Sequence, residues 1–220
     1  MSSGRSANST RIMGHSNTEP TQLAISKTLG RVVDTAEWKL LNLPLFHVSR
    51  QPLSLGGFLD SAEFQYRPHY IFFLKSVPDE YASNQDFLAR RDVETSFEAH
   101  RHHHHHSLPS RKSSIFCCIS ETDARQWTQR QSRSGGRIYE LQVQPGSRVL
   151  LVDLLWFNYA VRVAKGTLRD SEYVYGSPSP DIEVTAAATG YWSGKVFSAH
   201  GGAPSFEALV DGRVKILRQL

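Results

Sequence analysis

Apolar residues in this 220-residue chain fall into short runs separated by turn residues, and this pattern restricts the fold more than any other feature. The runs are "LFHVSR" at 45–50, "HYIFFLKSV" at 69–77, "SSIFCCIS" at 113–120, "GGRIYELQV" at 135–143, "RVLLVDLLWF" at 148–157 and "FEALVDGRVKILRQL" at 206–220. None approaches the roughly 20 residues of a membrane-spanning helix. No signal-peptide core stands at the N-terminus, so the expectation is a soluble protein, cytoplasmic or secreted without a cleaved signal. Helical spacing occurs in only two or three places, and the strands are not regularly followed by crossover helices. The fold class this predicts is α+β, with a mixed or largely antiparallel sheet.

The punctuation between the runs sets the organisation. Residues 1–22 are rich in Ser, Thr, Asn and Gly and read as a disordered leader, leaving 23–220 as a single domain. "LAISKTLGRVVDTAEWKLLNL" at 23–43 has helix-like spacing that Pro44 ends, and Pro78 to Phe97 reads as a second helix. "QPLSLGGFLD" is a turn-rich loop, while "HYIFFLKSV" fits a strand or a buried helix equally. Ser120 and Asp123 have capping-box spacing, so a helix starts after "SSIFCCIS". Residues 166–190 are rich in Gly, Ser, Pro and Thr and read as loop. The terminal run reads as two strands around an Asp211–Gly212 turn.

Composition removes several function classes. Cys117 and Cys118 are adjacent, so on a strand they point to opposite faces and can form neither a disulfide nor a joint metal site. A thiol nucleophile with His47, His69 or His200 as base is conceivable, but the apolar "IFCCI" setting favours core packing. "HRHHHHHSLPSRKSS" at 100–114 reads as a low-complexity basic loop, and a homopolymeric tract offers no fixed metal geometry, so no metal is expected. The net charge of +4 is scattered and no phosphate loop or zinc-finger spacing is present, which argues against a nucleic-acid partner.

Three segments taken in chain order carry the functional reading. His47 and Ser49 share one face of an otherwise apolar strand, which suits either a core histidine satisfied by a hydrogen bond or a ligand-binding strand. Phe116 sits on a strand that leads into a capped helix. Glu207 heads a terminal strand with Ala208, Leu209 and Val210 behind it. This order resembles the ADP-ribosyltransferase superfamily, in the His-aromatic-Glu branch of the poly-ADP-ribose polymerases and diphtheria-toxin-like enzymes. "HVS" at 47–49 is similar to that branch's His-Gly-Ser/Thr, "SIFC" to its Gly-Ile-Tyr-Phe strand, and "EALVDGRVKIL" to its Glu-led strand with a further strand. The resemblance spans residues 43–220.

The resemblance implies an ADP-ribosyltransferase-like split sheet and a mono-ADP-ribosyltransferase that uses NAD+ as co-substrate. It implies Glu207 and His47 as catalytic residues, and His47, Val48, Ser49, Ser114 and Phe116 as the NAD+-binding set. Glu207 would stabilise oxocarbenium character at the ribose, His47 would bond a ribose hydroxyl, Ser49 would hold the nicotinamide end and Phe116 would stack on its ring. "YWSGK" at 191–195 suits either an acceptor-side loop or a packed turn. Three departures stand out: Val48 replaces the glycine, Phe116 lacks a tyrosine hydroxyl, and Ser205 stands where arginine-modifying relatives carry a second glutamate. The expected partner is therefore a protein acceptor modified on Ser, Thr or a carboxylate, with a bacterial effector or toxin acting on a host protein as the biological setting. Alternatives are a non-catalytic NAD- or nucleotide-binding module, a basic interaction domain, and an RNA 2′-phosphotransferase-like enzyme.

Overall fold

The computed structural model describes residues 19–64, 77–130, 136–176, 179–198 and 203–220. "HYIFFLKSV" apart from Val77, together with His69, His200 and most of the leader, lies outside them.

Helix α1 (Glu19–Thr28), strand β1 (Val32–Asp34) and helix α2 (Thr35–Leu41) replace the single helix expected over 23–43, and α1 begins inside the expected leader. Gly30 makes the break: its φ is +69°, and its amide donates to the Leu151 carbonyl at 2.9 Å, drawing the chain onto the sheet. Strands β2 (Leu45–Ser49) and β3 (Phe58–Asp60) follow, so the "QPLSLGGFLD" loop closes on a strand, and α3 (Ser61–Phe64) is a single turn. Helix α4 (Gln85–His104) starts at Asn84, whose side chain accepts from the Phe87 amide at 3.0 Å. It continues through His102, His103 and His104, so the basic loop expected from residue 100 opens as helix. Extending a nucleated helix costs little even for indifferent helix formers.

Strand β4 (Ile115–Cys118) leads into α5 (Glu121–Arg130) through the expected cap: the Asp123 amide donates to Ser120 Oγ at 3.0 Å. Strands β5 (Arg137–Val143) and β6 (Arg148–Asp153) form as expected, and Asp153 then caps α6 (Leu154–Ala164) by accepting from the Leu155 amide. Helix α7 (Pro180–Trp192) occupies the end of the segment expected as loop. Pro180 sits at a helix start, where its missing N–H is harmless, and the alanines that follow pack against α6. Strands β7 (Phe206–Asp211) and β8 (Arg213–Gln219) complete the chain.

The sheet is eight-stranded among the described residues, in the order β1-β6-β7-β4-β2-β5-β8-β3, and every strand pairing is antiparallel. The molecule is thus α+β, with an antiparallel sheet flanked by helices. Two connections dictate its shape. β5 and β6 are joined by a four-residue turn and β7 and β8 by Gly212 alone, yet neither pair is adjacent in the sheet. The two terminal strands form on either side of Gly212 as expected, but they do not pair with each other. Gly212 has φ +123°, and a Cβ there would lie 2.6 Å from Ser147 Oγ, so glycine is what lets these two crossings touch.

The two crossings divide the sheet into the halves β1-β6-β7-β4 and β2-β5-β8-β3. The halves meet at a single register pair, Phe46 opposite Cys118. Leu45, Tyr139, Val143 and Val214 of one half share a core with Ile115, Val149, Leu151 and Val210 of the other. The opposite face of the β6-β7-β4 half packs under α4, α6 and α7 through a second core that includes Phe97, Phe157 and Trp192. Helix α5 covers the junction, where Ala124 meets Phe46, Val48 and Cys118.

Candidate functional site

Apart from Ser114, which immediately precedes β4, the site residues expected from sequence lie on three consecutive neighbours of the sheet, β7, β4 and β2. Directly opposed residues of an antiparallel pair share a face. Phe46 opposes Cys118 and Cys118 opposes Glu207, so these three leave the same face, with Phe116 two residues along. His47 and Ser49 alternate to the other face, where His47 opposes Tyr139. The structure therefore unites Glu207 with Phe116 and directs the His47 side chain away from them.

His47 nevertheless links the strands. Its Nδ1 lies 2.9 Å from the carbonyl oxygen of Phe116, which can only accept, so Nδ1 carries the proton. Ser49 Oγ donates to the Gln51 carbonyl at 2.9 Å, a local bond within its own turn. Val48 packs at the junction beside Cys118 and Ala124. Ser114 is 1% exposed, and its Oγ has no hydrogen-bond partner among the described residues. Cys117 and Cys118 are free and buried on opposite faces, and burial pushes both thiols up, which removes them as thiolate nucleophiles.

Around Glu207 the fold assembles a buried group of charges. Arg111, from the segment between α4 and β4, forms a two-pronged pair with Glu94 of α4: Nε donates to Oε2 at 2.8 Å and Nη2 to Oε1 at 3.0 Å. Its Nη1 donates to Glu207 Oε1 and to the Tyr191 hydroxyl. That hydroxyl, on α7, donates in turn to Glu207 Oε1 at 2.6 Å. The guanidinium also lies over the rings of Phe157, at 4.2 Å, and Phe116, at 4.8 Å from the centroid. Side-chain exposure is 4% for Arg111 and 2% for Glu207.

Burial pushes the Glu207 carboxyl above the ordinary carboxylate range, opposed by the charge of Arg111 and the hydrogen bond from Tyr191. Arg111 suffers the same desolvation, but Glu207 and Glu94 hold it charged well above its usual value. Glu207 Oε2 has no hydrogen-bond partner among the described residues. Chemically, this is a carboxylate with one oxygen anchored and the other unmet.

Three members of this group were not legible in the sequence. Arg111 stands in a stretch that reads as low-complexity basic loop, Glu94 in an ordinary charged helix, and Tyr191 in "YWSGK", which reads as an acceptor-side loop or a packed turn and instead begins with the last two residues of α7. Only the last offered a signal, as an aromatic close to Glu207 in the chain.

A family model covering residues 79–220 matches most of this chain. The protein belongs to the family described as Protein of unknown function (DUF2441). The matched segment holds Glu94, Arg111, Phe116, Tyr191 and Glu207, and begins after His47 and β2. A search of the curated proteins finds no match. Among the described residues, no group of three or more His, Cys, Asp or Glu is placed to hold a metal, and no helix is long and apolar enough to cross a membrane.

Proposed function

We propose that this protein is an NAD+-dependent mono-ADP-ribosyltransferase with a protein acceptor. One observation carries the reading: the His47, Phe116 and Glu207 segments, far apart in the chain, are consecutive strands β2, β4 and β7 at the point where the sheet divides. The division into halves joined by one residue pair supports the split-sheet fold that the sequence resemblance implies. The bond from His47 to the Phe116 carbonyl ties two of the three segments together at that point.

In this reading the C1′–N bond between ribose and nicotinamide breaks, and its electron pair leaves with nicotinamide. Glu207, as a carboxylate, stabilises the positive charge that develops on the ribose. An acceptor oxygen then forms the new bond to C1′; a hydroxyl acceptor releases its proton to solvent, whereas an ionised carboxylate has none to lose. Ser205 in place of a second glutamate favours a hydroxyl or carboxylate acceptor over arginine. Glu207 is 1% exposed, so NAD+ reaches it only when the packing over the carboxylate opens. That burial weighs against turnover at Glu207, and the second reading is a nucleotide-binding module in which Glu207 takes no part.

Labelled NAD+ incubated with the purified protein and a cell lysate separates the two. Label transferred to a lysate protein and lost in Glu207→Ala, with nicotinamide released, supports the transferase. NAD+ binding without nicotinamide release from the unaltered protein would replace it with the binding module.

A further inference from the structure

Glu207 uses its two oxygens differently. Oε1 takes hydrogen bonds from both Arg111 and Tyr191, while Oε2, equally buried, has none among the described residues. A buried carboxylate oxygen left without a donor is costly, and folded proteins rarely keep one without a use. The bonded oxygen fixes the plane of the carboxylate. Arg111 is itself fixed by the two-pronged contact with Glu94 and by the rings of Phe116 and Phe157, so it holds Glu207 from a rigid base.

We infer that Arg111, assisted by Tyr191, is a positioning residue for Glu207: it anchors Oε1 and fixes the plane of the carboxylate, so that Oε2 accepts the hydrogen bond of a ribose hydroxyl. The inference rests on the transferase reading of Glu207. It adds the division of labour between the two oxygens and names the residues that impose it. The ionisable groups around Glu207 are Arg111 from the segment before β4, Glu94 and Arg90 from α4, Tyr191 from α7, and the cysteines of β4. Glu94 acts against the charged form of Glu207, and burial keeps Tyr191 and both thiols protonated. Arg111 is the cation bonded to the carboxylate.

The test is nicotinamide release from NAD+ as a function of pH, in the unaltered protein and in Glu207→Gln, Tyr191→Phe, Arg111→Lys and Arg111→Met. Glu207→Gln should be inactive. The acid limb of kcat should move to higher pH in Tyr191→Phe, because a donor to the ionised form is gone. In Arg111→Met it should move further, with kcat falling about ten- to a hundredfold, the range for a lost hydrogen bond to a charged group. KM for NAD+ should change far less, and Arg111→Lys should return the limb towards its original position. An acid limb that stays in place in Tyr191→Phe while Glu207→Gln is inactive overturns the inference and leaves the transferase reading standing. Tyr191→Phe removes a single oxygen, so it carries the test even where Arg111→Met does not fold. No nicotinamide release from the unaltered protein would overturn both.

Discussion

The two faces of the β7-β4-β2 region bury polar groups by opposite strategies. Beneath α4, α6 and α7, side chains alone hold the group together: Arg111 binds Glu94, Tyr191 and Glu207 Oε1, and Glu207 Oε2 has no partner among the described residues. On the other face His47 bonds the Phe116 carbonyl, and the Tyr139 hydroxyl accepts from the Leu53 amide at 2.9 Å. A neutral side chain bonded to the backbone is inexpensive to bury, whereas each buried charge depends on its partners for most of its tolerance. The charged face is thus fragile to single substitutions and the neutral face is robust. Glu207 stands on the fragile one.

The largest effect should come from Arg111→Met. Removing the cation leaves Glu94 and Glu207 buried without their common partner, and breaking such a pair costs about 3–5 kcal/mol. Chemical denaturation with an unchanged m-value would show it, and a loss below 1 kcal/mol would break the contrast between the faces.

A smaller effect, with a definite sign, should follow Glu207 through pH. Its carboxyl in the folded protein lies above the ordinary value, so the fold binds that proton more tightly than the unfolded chain does. The resulting stability is fully present below the ordinary glutamate value of about 4.3 and is lost as pH rises through the raised folded value. Glu207→Gln lacks this dependence, so its stability relative to the unaltered protein should improve from pH 4 to neutrality. Thermal melts of both proteins across that range check the direction. A gap that moves the other way would mean that Arg111 outweighs burial.

The smallest effect should belong to His47→Phe, which keeps most of the ring and removes the bond to the Phe116 carbonyl. About 1 kcal/mol is expected, partly offset by the gain in apolar surface. A loss approaching that of Arg111→Met would show that the histidine does more than join β2 to β4.

These differences also explain what could be read in advance. Strands over 45–49, 115–118, 137–143 and 148–153 and the Ser120 cap were legible because each depends on neighbours within a few residues. Helix α7 is not legible because the Gly-, Ser- and Pro-rich composition of 166–179 runs directly into the Ala-rich segment, whose helix is stabilised by packing on α6. The separation of the two terminal strands is not legible for a related reason. Asp211–Gly212 marks a change of chain direction, and nothing local says that β7 will pair with β4 and β6 while β8 pairs with β5 and β3.

By itself the sequence determined the α+β class, the alternation that sends His47 and Phe46 to opposite faces, and the order of the three segments that raise the transferase reading. The tertiary structure alone decided that those segments are neighbours and that Arg111 lies against Glu207 rather than in solvent. Alternation and caps are set over a few residues of chain. The pairing of Arg111 with Glu207 spans 96 residues and exists only because the sheet divides and three helices close over one half, taking both charges out of water together.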